Sequence, residues 1–271
     1  MELVILGSAG WVPQEGRMTT ALAVRWGDLL VVLDAGTGLA RLREPAYRRL
    51  LPPAGRPVHI FLSHYHLDHT AGLTYLPALW SQNPTVIHAP ASEGQQGEDL
   101  TGLLESLVGP PFFPHGFSGF PFPVVVEALT PGTVVVEPGD PDAVRVDVRV
   151  QRHPGSSLGF RVGDALAFLT DTAYDPEAAA FVEGVPVLVH EAWVAGWDAP
   201  GTPQAGRAAH VSAEEAARTA RDGGVGELLL SHLPPHGDEA AYAQMLAAAR
   251  AVFPATQLCR DGLSRLVRVP R

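Results

Sequence analysis

The run Ser63-His64-Tyr65-His66-Leu67-Asp68-His69 restricts this chain more than any other feature. Directly before it, residues 58–62 form a continuous apolar run of strand length. Directly after it, residues 70–80 carry a helical pattern. The polar cluster therefore falls at a strand-to-helix loop, where α/β folds place their chemistry. His64 and His66 stand at i and i+2, a spacing that can aim both imidazoles at one ion. Asp68 and His69 follow at once and can serve a second ion. Imidazole nitrogen and carboxylate oxygen suit zinc, iron or manganese, and the lack of thiolates argues against a structural zinc finger. An ordinary solvated loop does not gather ligand types so densely behind a buried strand.

Short apolar strands and helical patterns alternate along the rest of the chain. Residues 3–6, 20–26 and 29–34 read as strands, separated by Gly7-Ser8-Ala9-Gly10 and Gly27-Asp28 turns. Residues 37–51 read as a helix interrupted by Pro45. Residues 91–123 show few periodic signals and read as an irregular, almost uncharged segment, a lid or pocket wall or a packed surface loop. Strands follow at 124–129, 134–136, 144–152, 158–162 and 165–169. The last third alternates again: strand 185–189, helix 213–222, strand 228–231, helix 240–252, strand 263–269. Ser212 with Glu215 forms a capping box ahead of helix 213–222. No linker divides the chain, so residues 1–271 are expected to form a single domain of two βα halves around one site.

Composition narrows the partners. The formal net charge is −10, and all 19 basic residues are arginines. Such a balance argues against a broad basic face for nucleic acid. No apolar run approaches the roughly 20 residues of a membrane span, and the first residues read as a strand rather than a signal peptide. The one cysteine, Cys259, cannot form an internal disulfide and reads as a small buried hydrophobe. A cytoplasmic location is expected.

The cluster resembles the signature of the metallo-β-lactamase superfamily, and later segments resemble its other motifs in the same order. These are Arg152-His153-Pro154-Gly155-Ser156, Phe168-Leu169-Thr170-Asp171-Thr172 and Leu229-Leu230-Ser231-His232. The resemblance implies an αβ/βα four-layer sandwich, with two mixed sheets flanked by helices. It implies one metal on His64, His66 and His153, a second on Asp68, His69 and His232, and Asp171 bridging them. Asp34 would support the site or cap the Ala35-Gly36 turn, with the structural role favoured. Two divalent cations, zinc first and manganese or iron next, would activate a bridging hydroxide, with Asp68 orienting it and accepting its proton.

His190-Glu191-Ala192-Trp193 and Ala209-His210-Val211-Ser212 resemble the ribonuclease Z and phosphodiesterase branch. There a glutamate of an H-E-A-T motif pairs with a later histidine that protonates the leaving oxygen. An alkoxide leaving group needs an acid, and a Glu-paired imidazole can supply one. His210 is thus expected to be the general acid and Glu191 its orienting partner, with His190 structural. Trp193 stands where the motif has threonine. His115 and His236 read as exposed. No long basic arm is present, so the expected substrate is a small phosphate ester or short nucleotide rather than a large RNA. A carboxylic-ester, lactone or thioester hydrolase of the same fold is the alternative, and a non-catalytic scaffold a remoter one. The apolar residues of 110–123 suit a pocket or a homodimer contact.

Overall fold

The computed structural model describes residues 1–92, 94–193, 209–235 and 237–269. Strands β1 (Glu2–Gly7), β2 (Ala21–Trp26), β3 (Leu29–Leu33), β4 (Val58–Phe61), β5 (Thr85–Pro90) and β6 (Val124–Leu129) build one sheet. Strands β7 (Gly132–Val136), β8 (Val144–Gln151), β9 (Ser157–Val162), β10 (Leu166–Leu169), β11 (Val187–Glu191), β12 (Glu227–Ser231) and β13 (Thr256–Leu258) build the other. The last strand, β14 (Ser264–Leu266), returns to the first sheet beside β1. Among the described residues each sheet has seven strands, in orders β14-β1-β2-β3-β4-β5-β6 and β13-β12-β11-β10-β9-β8-β7. Both are mixed: β3 through β6 run parallel, as do β10 through β13, while the remaining neighbours are antiparallel.

The sheets pack face to face. Leu3, Ile5, Leu22, Val31 and Phe61 of the first interleave with Val146, Phe160, Phe168 and Leu229 of the second. The outer face of the first sheet is covered by α1 (Leu67–Thr70), α2 (Leu76–Leu79), α3 (Gly97–Val108) and several 3-10 turns. The outer face of the second is covered by α4 (Ala178–Phe181), α5 (Ala213–Asp222) and α6 (Glu239–Val252). The result is the four-layer αβ/βα sandwich. Among the described residues, no helix is long and apolar enough to cross a membrane.

Three expectations need correction. Residues 37–51 are two 3-10 segments, Thr37–Arg43 and Pro45–Leu50, because Pro45 forces Glu44 into an extended conformation. Residues 70–80 are not one helix. The chain passes from α1 into a 3-10 turn, Ala71–Tyr75, where the Gly72 N–H donates to Ala35 O, and α2 begins only at Leu76. Residues 91–123 are irregular only in part, and they are not nearly uncharged. They contain α3, opened by a Gln96/Asp99 capping box, and the acidic Glu98, Asp99 and Glu105. Leu100, Leu104 and Val108 recur every fourth residue and are buried against the first sheet. Beyond α3, Phe117, Phe120 and Phe122 fold into the outer core while Phe112 stays exposed.

Polar groups also enter the interior. His59 and His88 bond ring to ring, Nδ1 to Nε2 at 3.1 Å, and end on Glu137 and Glu127. Cys259 is fully buried, and burial pushes its thiol up to about 12. Phe61 lies between the sheets, stacked at 4.0 Å on His88 and edge-on to Phe160 at 5.8 Å. Phe61→Ala should therefore cost about 3–5 kcal/mol. A denaturant titration would read this as a lower midpoint at unchanged slope.

Candidate metal centre

The site lies where the parallel strands of both sheets end. β4 runs into the loop carrying His64 and His66, and Asp68 and His69 occupy the single turn of α1. His153 sits in the β8–β9 hairpin, Asp171 follows β10, Glu191 ends β11, and His232 follows β12. The halves meet directly here: the Leu158 N–H of β9 donates to Ser63 O at 2.9 Å. Asp34, Asp171 and His232 each leave their strand with positive φ, of 59°, 46° and 49°. This left-handed turn costs a side chain of the L series some stability, and such strain collects at functional sites.

Two glycines permit the close packing. A Cβ on Gly10 would lie 2.6 Å from the His232 ring. One on Gly36 would lie 2.2 Å from the carbonyl oxygen of Asp68. Any side chain at either position would displace a site residue.

The polar groups gather on two sides of Asp171, as two cups, in overlapping sets of which His64, His69 and Asp171 together make one. Its Oδ1 faces His64 Nε2 at 4.0 Å and His153 Nε2 at 3.9 Å. Its Oδ2 faces His69 Nε2 at 3.2 Å and His232 Nε2 at 3.3 Å. Asp68 Oδ2 completes the second cup, 3.3 Å from both His69 Nε2 and His232 Nε2. His66, exposed on its outer side, joins His153 and Asp171 in the first. The seven residues expected as ligands thus converge on one place.

Hydrogen bonds fix which nitrogens face inward. Asp34 is fully buried and accepts from Ser63 N at 2.7 Å, from Ser63 Oγ at 2.9 Å and from His69 Nδ1 at 2.7 Å. Ser63 Oγ, having donated to Asp34, accepts in turn from His64 Nδ1 at 3.0 Å. One carboxylate thereby commits the Nδ1 protons of both rings and leaves both Nε2 lone pairs pointing into the site. Among the described residues, both Nε2 atoms are buried without a hydrogen bond; buried polar atoms are rarely left so, and bound cations would satisfy them. The donor set is nitrogen and oxygen only, which suits divalent zinc, manganese or iron.

The local field agrees. Burial opposes ionisation of Asp68 and Asp171, but the facing imidazoles of His69 and His232 outweigh it and hold both carboxyls low. Burial, reinforced by neighbouring His69, pulls His64 well below the usual histidine range. Burial likewise opposes charge on His69, yet Asp171, Asp34 and Asp68 overcome it. That negative field favours any cation at His69 Nε2.

Beside the cups stands a second unit. The buried Glu191 carboxylate accepts from Thr172 N with Oε1 and from His210 Nδ1 with Oε2, the latter at 2.8 Å. His210 Nε2 is then the nitrogen left to face the site, and His210 groups with Asp171 and His232. Burial opposes charge on His210, but Glu191 more than offsets it and raises the ring to about 9. His190 turns away and donates from Nδ1 to its neighbour's carbonyl at 3.0 Å. His115 is exposed, and His236 lies outside the described residues.

Three contributors were not legible beforehand. Ser63 relays Asp34 to His64. The Trp11 N–H donates to Asp68 Oδ2 at 2.7 Å, a backbone contact that no side-chain pattern announces. Trp193 lies against His210, and its signal in the sequence was only the departure from threonine.

The family model for the beta-lactamase superfamily domain matches residues 30–233, and the chain belongs to that superfamily. Ribonuclease BN of Salmonella typhimurium is 26% identical over an alignment 320 positions long, gaps included, which covers 96% of this chain and 98% of that protein. The fold is similar to the metallo-beta-lactamase fold protein YhfI from Bacillus subtilis, at TM-score 0.73 and 21% identity over 97% of this chain and 98% of that one. It is also similar to the short form of human tRNase Z, at TM-score 0.68 and 20% identity over 99% and 100% of the two chains. A diphosphatase from the PhnP family aligns at TM-score 0.67 and 17% identity, over 99% of this chain and 98% of that one.

The role of Asp34 can be tested at constant shape. In Asp34→Asn one acceptor oxygen becomes an N–H₂ group facing the Ser63 and His69 donors. Metal affinity should fall about 10–100-fold, measured by competition with a chromophoric chelator.

Proposed function

We propose that this chain is a metal-dependent phosphodiesterase whose general acid is His210. The observation that carries the reading is the Glu191–His210 pair, hydrogen-bonded at 2.8 Å and set beside the two-cup cluster. Hydrolysis of a carbonyl substrate has less need of such a pair, whereas an alkoxide leaving a phosphate diester requires a proton.

Each residue takes a defined part. His64, His66 and His153 would hold one divalent cation, Asp68, His69 and His232 a second, with Asp171 shared. Two such ions, zinc in the first instance, would activate a water and stabilise charge on the attacking and leaving oxygens. Asp68, steadied by the Trp11 N–H, accepts the proton of the attacking water. Glu191 holds the His210 Nδ1 proton, so Nε2 delivers its own proton to the departing oxygen. One domain over residues 1–271 is the natural unit, since each cup draws on both halves of the chain. The ribonuclease relatives support phosphodiester chemistry. The net charge of −10 and the acidic α3 favour a small phosphate ester or short nucleotide over a long polyanion. A cytoplasmic enzyme fits these features.

The test is a substrate panel on metal-counted protein. Bis(p-nitrophenyl) phosphate and a 2′,3′-cyclic nucleotide should be hydrolysed at about two metals per chain, and a lactone and a thioester should not. Chelation should abolish turnover, and zinc or manganese should restore it. Turnover of the carbonyl substrates alone would refute the assignment.

The acid role has its own measurement. His210→Ala should lower kcat on the cyclic nucleotide by about 10²–10⁴-fold with metal content intact. Its effect on bis(p-nitrophenyl) phosphate should be far smaller, because p-nitrophenolate leaves without help. Unchanged turnover of the cyclic nucleotide would remove His210 from the mechanism.

A further inference from the structure

We propose that Trp193 is a positioning residue for the general acid, its indole fixing the plane of the His210 ring so that Nε2 points into the site. This rests on the phosphodiesterase reading above.

The argument begins with what the Glu191 bond leaves undone. A single hydrogen bond from His210 Nδ1 to a carboxylate oxygen fixes one end of the ring. The ring can still rock about χ1 and χ2 within the tolerance of that bond, and the rocking shifts Nε2 at its far side. His210 is placed for such freedom, because it precedes α5 on a connecting segment rather than standing within a strand. A flat surface against the ring face removes the freedom without engaging either nitrogen.

Trp193 supplies that surface. Its ring centroid lies 4.7 Å from that of His210, with an interplanar angle of 18°. The same indole lies 5.4 Å from His232 at 34°, and His210 and His232 are themselves 5.8 Å apart at 19°. The three ring centroids form a triangle in which each ring lies against the other two, and the closest and most nearly parallel pair is Trp193 with His210. Trp193 is 9% exposed, so its own orientation is set by packing. The backbone reinforces the arrangement. The Trp193 N–H donates to Val211 O at 2.7 Å, which ties the end of β11 to the residue after His210. The Ala192 N–H donates to Ser231 O at 3.1 Å, next to His232. A threonine here would keep the backbone bonds and lose the flat face.

The experiment compares zinc-loaded wild type with Trp193→Thr and Trp193→Phe, using His210→Ala as reference. Two diesters are hydrolysed at the same site: bis(p-nitrophenyl) phosphate, whose leaving group needs no acid, and a 2′,3′-cyclic nucleotide, whose alkoxide does. Trp193→Thr should lower kcat on the cyclic nucleotide about tenfold and on the p-nitrophenyl ester less than about twofold. Trp193→Phe keeps a flat ring and should stay within about threefold on both. Equal loss on both diesters would overturn the proposal, since the indole would then act through His232 or through folding. No loss on either would overturn it too.

A second readout does not depend on turnover. In ¹⁵N-labelled zinc-loaded protein, the His210 Nδ1–H resonance is assigned by its disappearance in His210→Ala. It should be sharp and far downfield in wild type and Trp193→Phe, and broadened or shifted in Trp193→Thr. An unchanged line in Trp193→Thr would refute the positioning role. If wild type cleaves neither diester, the phosphodiesterase reading fails, and this resonance still decides whether Trp193 orients His210.

Discussion

The hydrogen bonds that converge on Asp34 decide what the rest of the site can do. A carboxyl with no exposure is tolerated only when its oxygens are satisfied, and here the donors that satisfy it are themselves parts of the site. Through His69 it acts directly, and through Ser63 it reaches His64. Each link also chooses a tautomer, so two imidazoles present lone pairs inward without rearrangement. Glu191 repeats the device on the far side with His210. Both arrangements place a carboxylate behind an imidazole, and both raise the affinity of the ring's other nitrogen for positive charge.

Backbone geometry does the remaining placement. A strand delivers its side chains alternately above and below the sheet, so a residue that continued the strand could not turn across the gap between two sheets. Asp34, Asp171 and His232 leave their strands in left-handed conformations instead, which redirects the side chains toward one another. The strain is offset by the packed strands behind them: β3, β10 and β12 are buried along nearly their whole length. A rigid sheet is what allows its last residue to be held in a conformation it would not choose.

What the sequence disclosed follows from these physical differences. His64, His66, Asp68 and His69 were legible because four ligand types crowd one turn, and no packing argument accounts for them. His153, Asp171 and His232 are isolated in sequence and acquired meaning only through resemblance to a family pattern. Glu191 and His210 were found the same way, and the structure brings them within hydrogen-bonding distance. The secondary structure was less accessible where tertiary contacts decide it. Strand β5 holds His88 between two prolines, Pro84 and Pro90, and no element is expected there until β4 and β6 are seen on either side. Helix α3 contains Gly97 and Gly102, which hide its Leu100-Leu104-Val108 stripe. The turn chemistry around Gly72 and Pro45 broke two helices that apolar periodicity alone would continue.

The sharing of Asp171 between the cups bears on how the chain acquires its activity. The first half of the chain contributes His64, His66, Asp68 and His69, and the second contributes His153, Asp171 and His232. Neither half supplies the whole cluster, which is complete only when the sheets have docked in register. Strand β14, which closes the first sheet beside β1, comes from the end of the chain, so that sheet too is complete only after the second half has been made. A cation bound across the cluster would therefore stabilise the docked sheets in preference to either half alone.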